Sequence, residues 1–443
     1  MYRYAMESLK KWKTSKWRKP LLVYGARQVG KTWLMKEFGR TEFKNFLYLN
    51  FDDEEKVRNI FGANITPGYI ISRLENDFAI KIDPQHTLLI FDEIQECQRA
   101  KDSLKYFNED APQYHIVAAG SFLGVATGKF PVGQVDMLTV YPMSFYEFLE
   151  AIGRKNLVDK LRELDPEIII GFSDMVKDLL KIYFYVGGMP RVVQIYAETK
   201  DIHKVREIQN HIIKSYKGDF SKHIMATDIP KVRMLWESIP VHLAKEKKKF
   251  LYKEIKVGGR AAEFENAMDW LIQTGLVYKV MRTENALLPL LAYQQRDIFK
   301  LFSLDIGLLC AQTNVDVRTL LQPEADIFEQ FRGALTEQFV LQELKASAKQ
   351  VPILYWANET GHSEIDFIIQ YDGDIIPIEA KSAENTRAKS LKVYMEKEKP
   401  ARAVKTSLKN YGIKDNLYSV PLYMMGSFFE ILDKGALERA EYV

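Results

Sequence analysis

Cysteine is nearly missing from this chain. Its 443 residues hold two, Cys97 and Cys310, too few and too far apart for a metal-ligand spacing or a disulfide framework. That scarcity fits a reducing compartment, so a cytoplasmic location is expected. No apolar run approaches the roughly 18 residues of a membrane span, and Met1 to Glu7 carry no apolar signal core, so no membrane partner is expected. Charge of one sign is not in excess either: 62 Lys and Arg face 59 Asp and Glu. No global field therefore advertises nucleic acid, and any basic surface must be local. The seven histidines are scattered and offer no metal pair with an acidic partner; His362 reads as a turn residue. Internal repeats and low-complexity segments are absent.

What is present can build real cores. The chain is 47% hydrophobic and 27% charged, and its length predicts two to four domains. Short apolar runs, Leu21–Tyr24, Phe46–Phe51, Thr87–Asp92 and Tyr114–Ala119, alternate with amphipathic stretches. Continuous apolar strands separated by helical periods predict a parallel sheet covered on both faces. Leu138–Pro142 is a fifth strand candidate. Helical periodicity fills 150–225, broken at Gly187-Gly188-Met189-Pro190. The order from 230 to 285, short helices and then the ribbon signal Gly275–Val280, suits a winged helix, with a helix-turn-helix over Leu251–Ile255 and Ala267–Leu271. Beyond 290 the spacing predicts a helix over 327–344 and strands at 353–357, 364–371 and 374–380. Lys10–Lys19, with Trp12 and Trp17 among basic residues, reads as an amphipathic first helix whose tryptophans pack inward, or as a contact for nucleic acid or acidic lipid. Lys245–Lys249 reads as a solvated turn.

The strongest motif is Gly25-Ala26-Arg27-Gln28-Val29-Gly30-Lys31-Thr32, which fits G-x-x-x-x-G-K-[ST] at every fixed position. It follows an apolar strand and opens a helix at Trp33. The glycines let backbone N–H groups wrap a phosphate chain at a helix N-terminus. Lys31 places a point charge on the β- and γ-phosphates, and Thr32 offers its hydroxyl to Mg²⁺. ATP and Mg²⁺ are thus the expected ligands, with Gly25 to Trp33 as nucleotide contacts. Some sixty residues on, the strand Leu88–Asp92 ends in Asp92-Glu93. At the carboxyl end of a parallel strand, Asp92 can reach Mg²⁺ and Glu93 can orient or deprotonate the attacking water. Ser121 is open to two readings, a polar sensor near the γ-phosphate or a turn serine.

The run 25–32, Asp92-Glu93-Ile94-Gln95, Ala119-Gly120-Ser121 and Tyr141–Leu149 together resemble a widespread prokaryotic AAA-type ATPase family. Its members usually carry a C-terminal domain of unassigned function that resembles restriction endonucleases. The resemblance covers nearly the whole chain. Together with the element pattern it predicts an α/β architecture in four parts: an AAA+ P-loop domain over 1–150, a helical lid over 151–228, a winged-helix-like domain over 229–290 and a nuclease-like domain over 291–443. Gly187–Pro190 is similar to the Gly-x-Pro lid motif of STAND ATPases, which implies Pro190 near the adenine; a plain helix break is the other reading. The arginine that many relatives carry after the sensor strand is missing from Thr127–Gln134, leaving Arg99 and Arg191 as candidate fingers. Assembly into a homo-oligomer is a further implication.

Residues 364–381 read as a hairpin turning at Asp372-Gly373. With Tyr371 facing Asp374, Asp366 falls opposite Glu379 and Glu364 opposite Lys381, with Asp366, Glu379 and Lys381 on one face. Opposed carboxylates repel unless a cation lies between them. The layout resembles the PD-(D/E)XK nucleases, which implies Asp366, Glu379 and Lys381 as a metal-dependent catalytic set and Glu337 as the extra helix acid. The alternative is a solvent-facing hairpin with ordinary ion pairs, Glu364–Lys381 and Glu379–Lys381. Three functions follow: an ATP-driven switch, an ATP-gated nuclease acting on DNA or RNA, or a non-cleaving module that binds nucleic acid or protein.

Overall fold

The computed structural model describes the chain except residues 53–54, 121–132, 246–247, 317, 319–328, 360–362, 383–387 and 441–443, with the side chains of 222–223, 329–332 and 436–440 also left aside. Ser121, Thr127–Val132 and His362 thus lie outside the described residues. The chain forms two units: Tyr2–Tyr141 with Gln273–Leu276, and Pro142–Ile272 with Val277–Val443 and Met1. The breaks expected at 228 and 290 lie inside the second unit.

The first unit runs α1 (Ala5–Thr14), β1 (Leu21–Tyr24), α2 (Lys31–Glu42), β2 (Asn45–Asn50), α3 (Glu55–Ala63), α4 (Pro67–Phe78), β3 (Thr87–Asp92), α5 (Gln98–Asp110), β4 (His115–Ala119) and β5 (Asp136–Thr139). Its five strands are parallel in the order β2-β3-β4-β1-β5. Composition explains that order. The wholly apolar β1 and the largely apolar β3 and β4 are buried at every residue and lie inside; β2 and β5, with mixed sequences, are the partly exposed edges. Beneath them Phe51, Phe61 and Phe91 meet edge to face at centroid distances of 5.3–5.8 Å. On α1, Trp12 is buried and donates to the Lys19 carbonyl at 2.8 Å. Trp17 departs from the inward-packing expectation: past the end of the helix, it is 88% exposed.

The second unit opens with helices α6 (Phe145–Ala151), α7 (Lys155–Arg162), α8 (Pro166–Gly171), α9 (Ser173–Val186), α10 (Pro190–Thr199), α11 (Ile202–His223), α12 (Ile229–Leu243) and α13 (Ala261–Gln273). It continues through β6 (Val277–Thr283), β7 (Gln294–Ser303), α14 (Ile306–Gln312), α15 (Glu329–Ala346), β8 (Ile353–Ala357), β9 (Glu364–Tyr371), β10 (Asp374–Ala380), α16 (Lys389–Glu398), β11 (Ala403–Ser407), β12 (Gly412–Lys414), β13 (Leu417–Pro421) and α17 (Phe428–Ala440). The mixed sheet has the order β12-β13-β11-β10-β9-β8-β6-β7.

Two expectations change here. The ribbon β6–β7 is not self-contained: β6 also pairs with β8 in the parallel sense, so the ribbon is the edge of the eight-stranded sheet. An isolated two-stranded ribbon is marginal, and joining the sheet satisfies its inner edge. Leu251–Ile255 holds only one 3₁₀ turn, Tyr252–Glu254, so the first helix of the expected helix-turn-helix is missing there. Gly187 and Gly188 have a packing reason. A Cβ at Gly188 would lie 2.1 Å from the Met143 carbonyl oxygen, and one at Gly187 would lie 2.3 Å from Asp305 Oδ1. Pro190 then starts α10 at a first-turn position, where a missing N–H costs nothing.

Candidate functional site

The phosphate-loop motif spans the turn from β1 into α2. Three of its residues hold positive φ: Gly25 (146°), Gln28 (66°) and Gly30 (92°). At Gly25 the need for glycine is also steric, since a Cβ would lie 2.3 Å from the Val140 carbonyl oxygen. Ala26 and Val29 are buried anchors, while Arg27 and Gln28 lie toward solvent and Trp33 is 42% exposed on the first turn of α2. One residue that motif reading missed braces the loop: buried Arg3 donates to the Val29 carbonyl at 2.8 Å and to the Tyr141 carbonyl at 2.6 Å. Its distance of 26 residues from Val29 leaves no local signal.

Lys31 is buried, and its Nζ donates to the carbonyls of Gly25 (2.8 Å) and Ala26 (3.0 Å). Burial lowers its ammonium to about 8, against the opposing pull of Glu93 and Asp92. Sixty residues on, Asp92 ends β3. Its Oδ2 accepts from the Thr32 hydroxyl at 2.7 Å and from the Tyr48 hydroxyl at 2.9 Å, and its Oδ1 from the Glu93 N–H at 3.1 Å. Thr32 and Asp92 thus converge as the hard oxygen donors that Mg²⁺ takes, so the fit is good. Glu93 sits in the left-handed region at φ 51°, a costly place for a non-glycine, and its carboxylate accepts from the Gln95 amide. Tyr48 and Gln95 hold the two acids and were not singled out as site residues by sequence. Arg99 is spent within this unit, donating to the carbonyls of Phe61 (2.7 Å) and Ala63 (3.4 Å). Arg191 and Pro190 belong to the second unit, where Arg191 bonds Gln194 at 3.1 Å.

The second cluster lies inside the second unit. The β9–β10 hairpin has the expected register, Tyr371 facing Asp374, with Asp372 and Gly373 at positive φ as a type I′ turn needs. It is not solvent-facing: Asp366, Glu379 and Glu337 on α15 are all buried. Around them stand three ammonium groups. Lys381 pairs with Glu379 at 2.6 Å, as one expected pair had it. Glu364 pairs with Lys300 on β7, at 2.6 Å, in place of Lys381. Lys300 also lies 3.5 Å from Glu337 Oε2, while Glu337 Oε1 pairs closely with Lys248. Lys248 is therefore no part of a solvated turn; its side chain is buried against an acid 89 positions away. Asp366 hydrogen-bonds Glu337 and accepts from the Ala380 N–H at 2.8 Å.

Burial raises Asp366 well above the usual carboxylate range, helped by Glu337 and Glu379. Burial acts on Glu337 in the same sense, but Lys248 and Lys300 outweigh it and hold that carboxyl low. For Lys300, burial is outweighed by Glu337, Glu364 and Asp366, which hold the ammonium charged. Among the described residues, no three His, Cys, Asp or Glu side chains gather so as to hold a metal ion. The residues present do not fit the divalent cation that the nuclease resemblance implies, because ammonium groups already stand on the acids.

Comparison with known proteins matches three stretches of the chain. A profile described as an AAA domain matches residues 17–149. Two profiles for domains of unknown function, DUF8612 and DUF4143, match 177–319 and 332–425. The chain carries an AAA-type P-loop ATPase domain. A search of curated proteins returned no match. Similar solved structures include a Walker-type ATPase of Pyrococcus abyssi, 13% identical with a TM-score of 0.44 over 70% of this chain and 94% of that one. Another is the Aeropyrum pernix Orc1 protein in complex with DNA, 13% identical with a TM-score of 0.30 over 72% and 92%. No helix among the described residues is long and apolar enough to cross a membrane.

Proposed function

We propose that the chain is a magnesium-dependent, ATP-hydrolysing switch of the AAA+/STAND kind, whose nucleotide state controls the nuclease-like second unit. One observation carries this reading: Lys31 rests on backbone carbonyls while Asp92 rests on Thr32, so cation and carboxylate are kept from neutralising each other. A triphosphate entering the loop exchanges the two carbonyls for phosphate oxygens at Lys31, and backbone N–H groups of 25–32 at the start of α2 contribute the rest of the binding. Thr32 and Asp92 would hold Mg²⁺, which supplies charge neutralisation at the β- and γ-oxygens when bound. Glu93, held in position by Gln95, accepts the proton of the attacking water.

Pro190 near the adenine, contact with DNA or RNA, and a homo-oligomer that provides the missing arginine complete the reading, on the strength of the family resemblance. The test is steady-state phosphate release by the purified chain. Turnover that requires Mg²⁺ and disappears in Lys31→Ala supports the proposal. Tight ATP binding without any turnover would leave a nucleotide-gated binding module instead.

A further inference from the structure

We propose that Lys300 and Lys248 are resident cations, whose ammonium groups occupy the place that a divalent metal takes in the nucleases the β9–β10 hairpin resembles. The second unit then binds without cutting through this site. The inference rests on which oxygens are already spoken for. Both oxygens of Glu337 face an ammonium, Oε1 that of Lys248 and Oε2 that of Lys300. Lys300 also takes Glu364 Oε1 at 2.6 Å, and Lys381 takes Glu379 Oε1 at 2.6 Å. Asp366 Oδ2 accepts the Ala380 N–H. Among the carboxylate oxygens of this cluster, Glu379 Oε2 is the one buried with no hydrogen-bond partner among the described residues. One free oxygen is far short of the near-octahedral shell that Mg²⁺ demands.

The geometry of Lys300 is that of a built-in ion. Its side chain is 1% exposed, it enters from a strand of the same sheet, and it bridges two acids from different elements. An ammonium balances charge as a metal does, but it has no open coordination position on which to lower the pKa of a water.

The experiment measures thermal unfolding of the full chain with and without Mn²⁺, in an Asp92→Asn background so that the phosphate loop does not respond. With the lysines present, Mn²⁺ is expected to leave the midpoint unmoved. Lys300→Met removes the ammonium while keeping the bulk, so the acids become free to take the metal. Mn²⁺ at a hundredfold over its dissociation constant should then raise the midpoint by on the order of 5 °C. Adding Asp366→Asn should cancel that rise. The proposal is overturned if the Lys300-containing chain is stabilised by Mn²⁺ and loses the effect with Asp366→Asn. It is equally overturned if a folded Lys300→Met chain ignores the metal. Should that variant fail to fold, the response of the Lys300-containing chain and its Asp366→Asn partner decides the matter alone.

Discussion

Lys31 and Lys300 are both buried ammonium groups within reach of carboxylates, and each is held differently. Lys31 donates to the carbonyls of Gly25 and Ala26; Lys300 reaches the carboxylate oxygens of Glu337 and Glu364. Burial therefore prevails at Lys31 and lowers its ammonium to about 8, while the acids prevail at Lys300 and hold its charge. Neutral carbonyls keep a cation in place without satisfying its charge, which leaves it available to an incoming phosphate. Carboxylates satisfy it fully and close the site. The presence of Lys, Asp and Glu in a pocket therefore does not make a reactive centre. What matters is whether they are kept from one another until a ligand arrives.

Five measurements break or sharpen this comparison. The largest effect is expected in the closed cluster. Glu337→Ala strips the buried Lys248 and Lys300 of their shared acid, and should cost about 3–5 kcal/mol in chemical unfolding. Glu337→Gln should be milder, because it keeps the shape and one acceptor. At the open site the loss is in rate: Lys31→Ala should reduce ATP turnover by about 10²–10³-fold with little change in unfolding. Glu93→Gln should slow hydrolysis while sparing nucleotide binding, as measured by calorimetry.

A further test uses Glu343 on α15, a buried acid that pairs with no lysine among the described residues. Its Oε1 accepts the Phe145 N–H at 2.8 Å, and its Oε2 has no partner among the described residues. Burial raises its carboxyl from 4.5 to about 8, with Glu147 adding to the effect. The folded chain thus keeps a proton that the unfolded chain releases. The resulting stability is complete below about pH 4.5 and is lost as pH rises through about 8. Glu343→Gln should flatten that decline, by up to about 5 kcal/mol across the window in urea titrations. The smallest effect is expected from Tyr48→Phe, which removes one hydrogen bond to Asp92 and should weaken Mg²⁺-dependent nucleotide binding by about 1 kcal/mol.

Sequence carried the local part of this far. β1, β3, β8, β9 and β10 have the expected limits, since each is a short run bounded by a turn or a charge, and the phosphate loop is written in consecutive residues. The partners of the second cluster were not legible. Lys248 and Lys300 stand 89 and 37 positions from Glu337, so no spacing links them to it. A signal did exist at Lys300: a single lysine between Phe299 and Leu301-Phe302 interrupts the buried, mostly apolar end of β7, and a buried lysine needs an acid. Trp17 misled for the opposite reason. Its neighbours suggested an amphipathic helix, but α1 ends at Thr14, so helical periodicity no longer determines where that ring points.

The charges of the closed cluster come from positions 248, 300, 337, 364, 366, 379 and 381, scattered over 134 residues of chain. Formed by itself, the β9–β10 hairpin would hold Asp366 near Glu379 with Lys381 as the lone counterweight. Its relief arrives only when α15, β7 and the segment bearing Lys248 have all docked. Burying these acids is thus favourable only together with their distant lysines, which ties the packing of the hairpin to that of α15, β7 and the Lys248 segment.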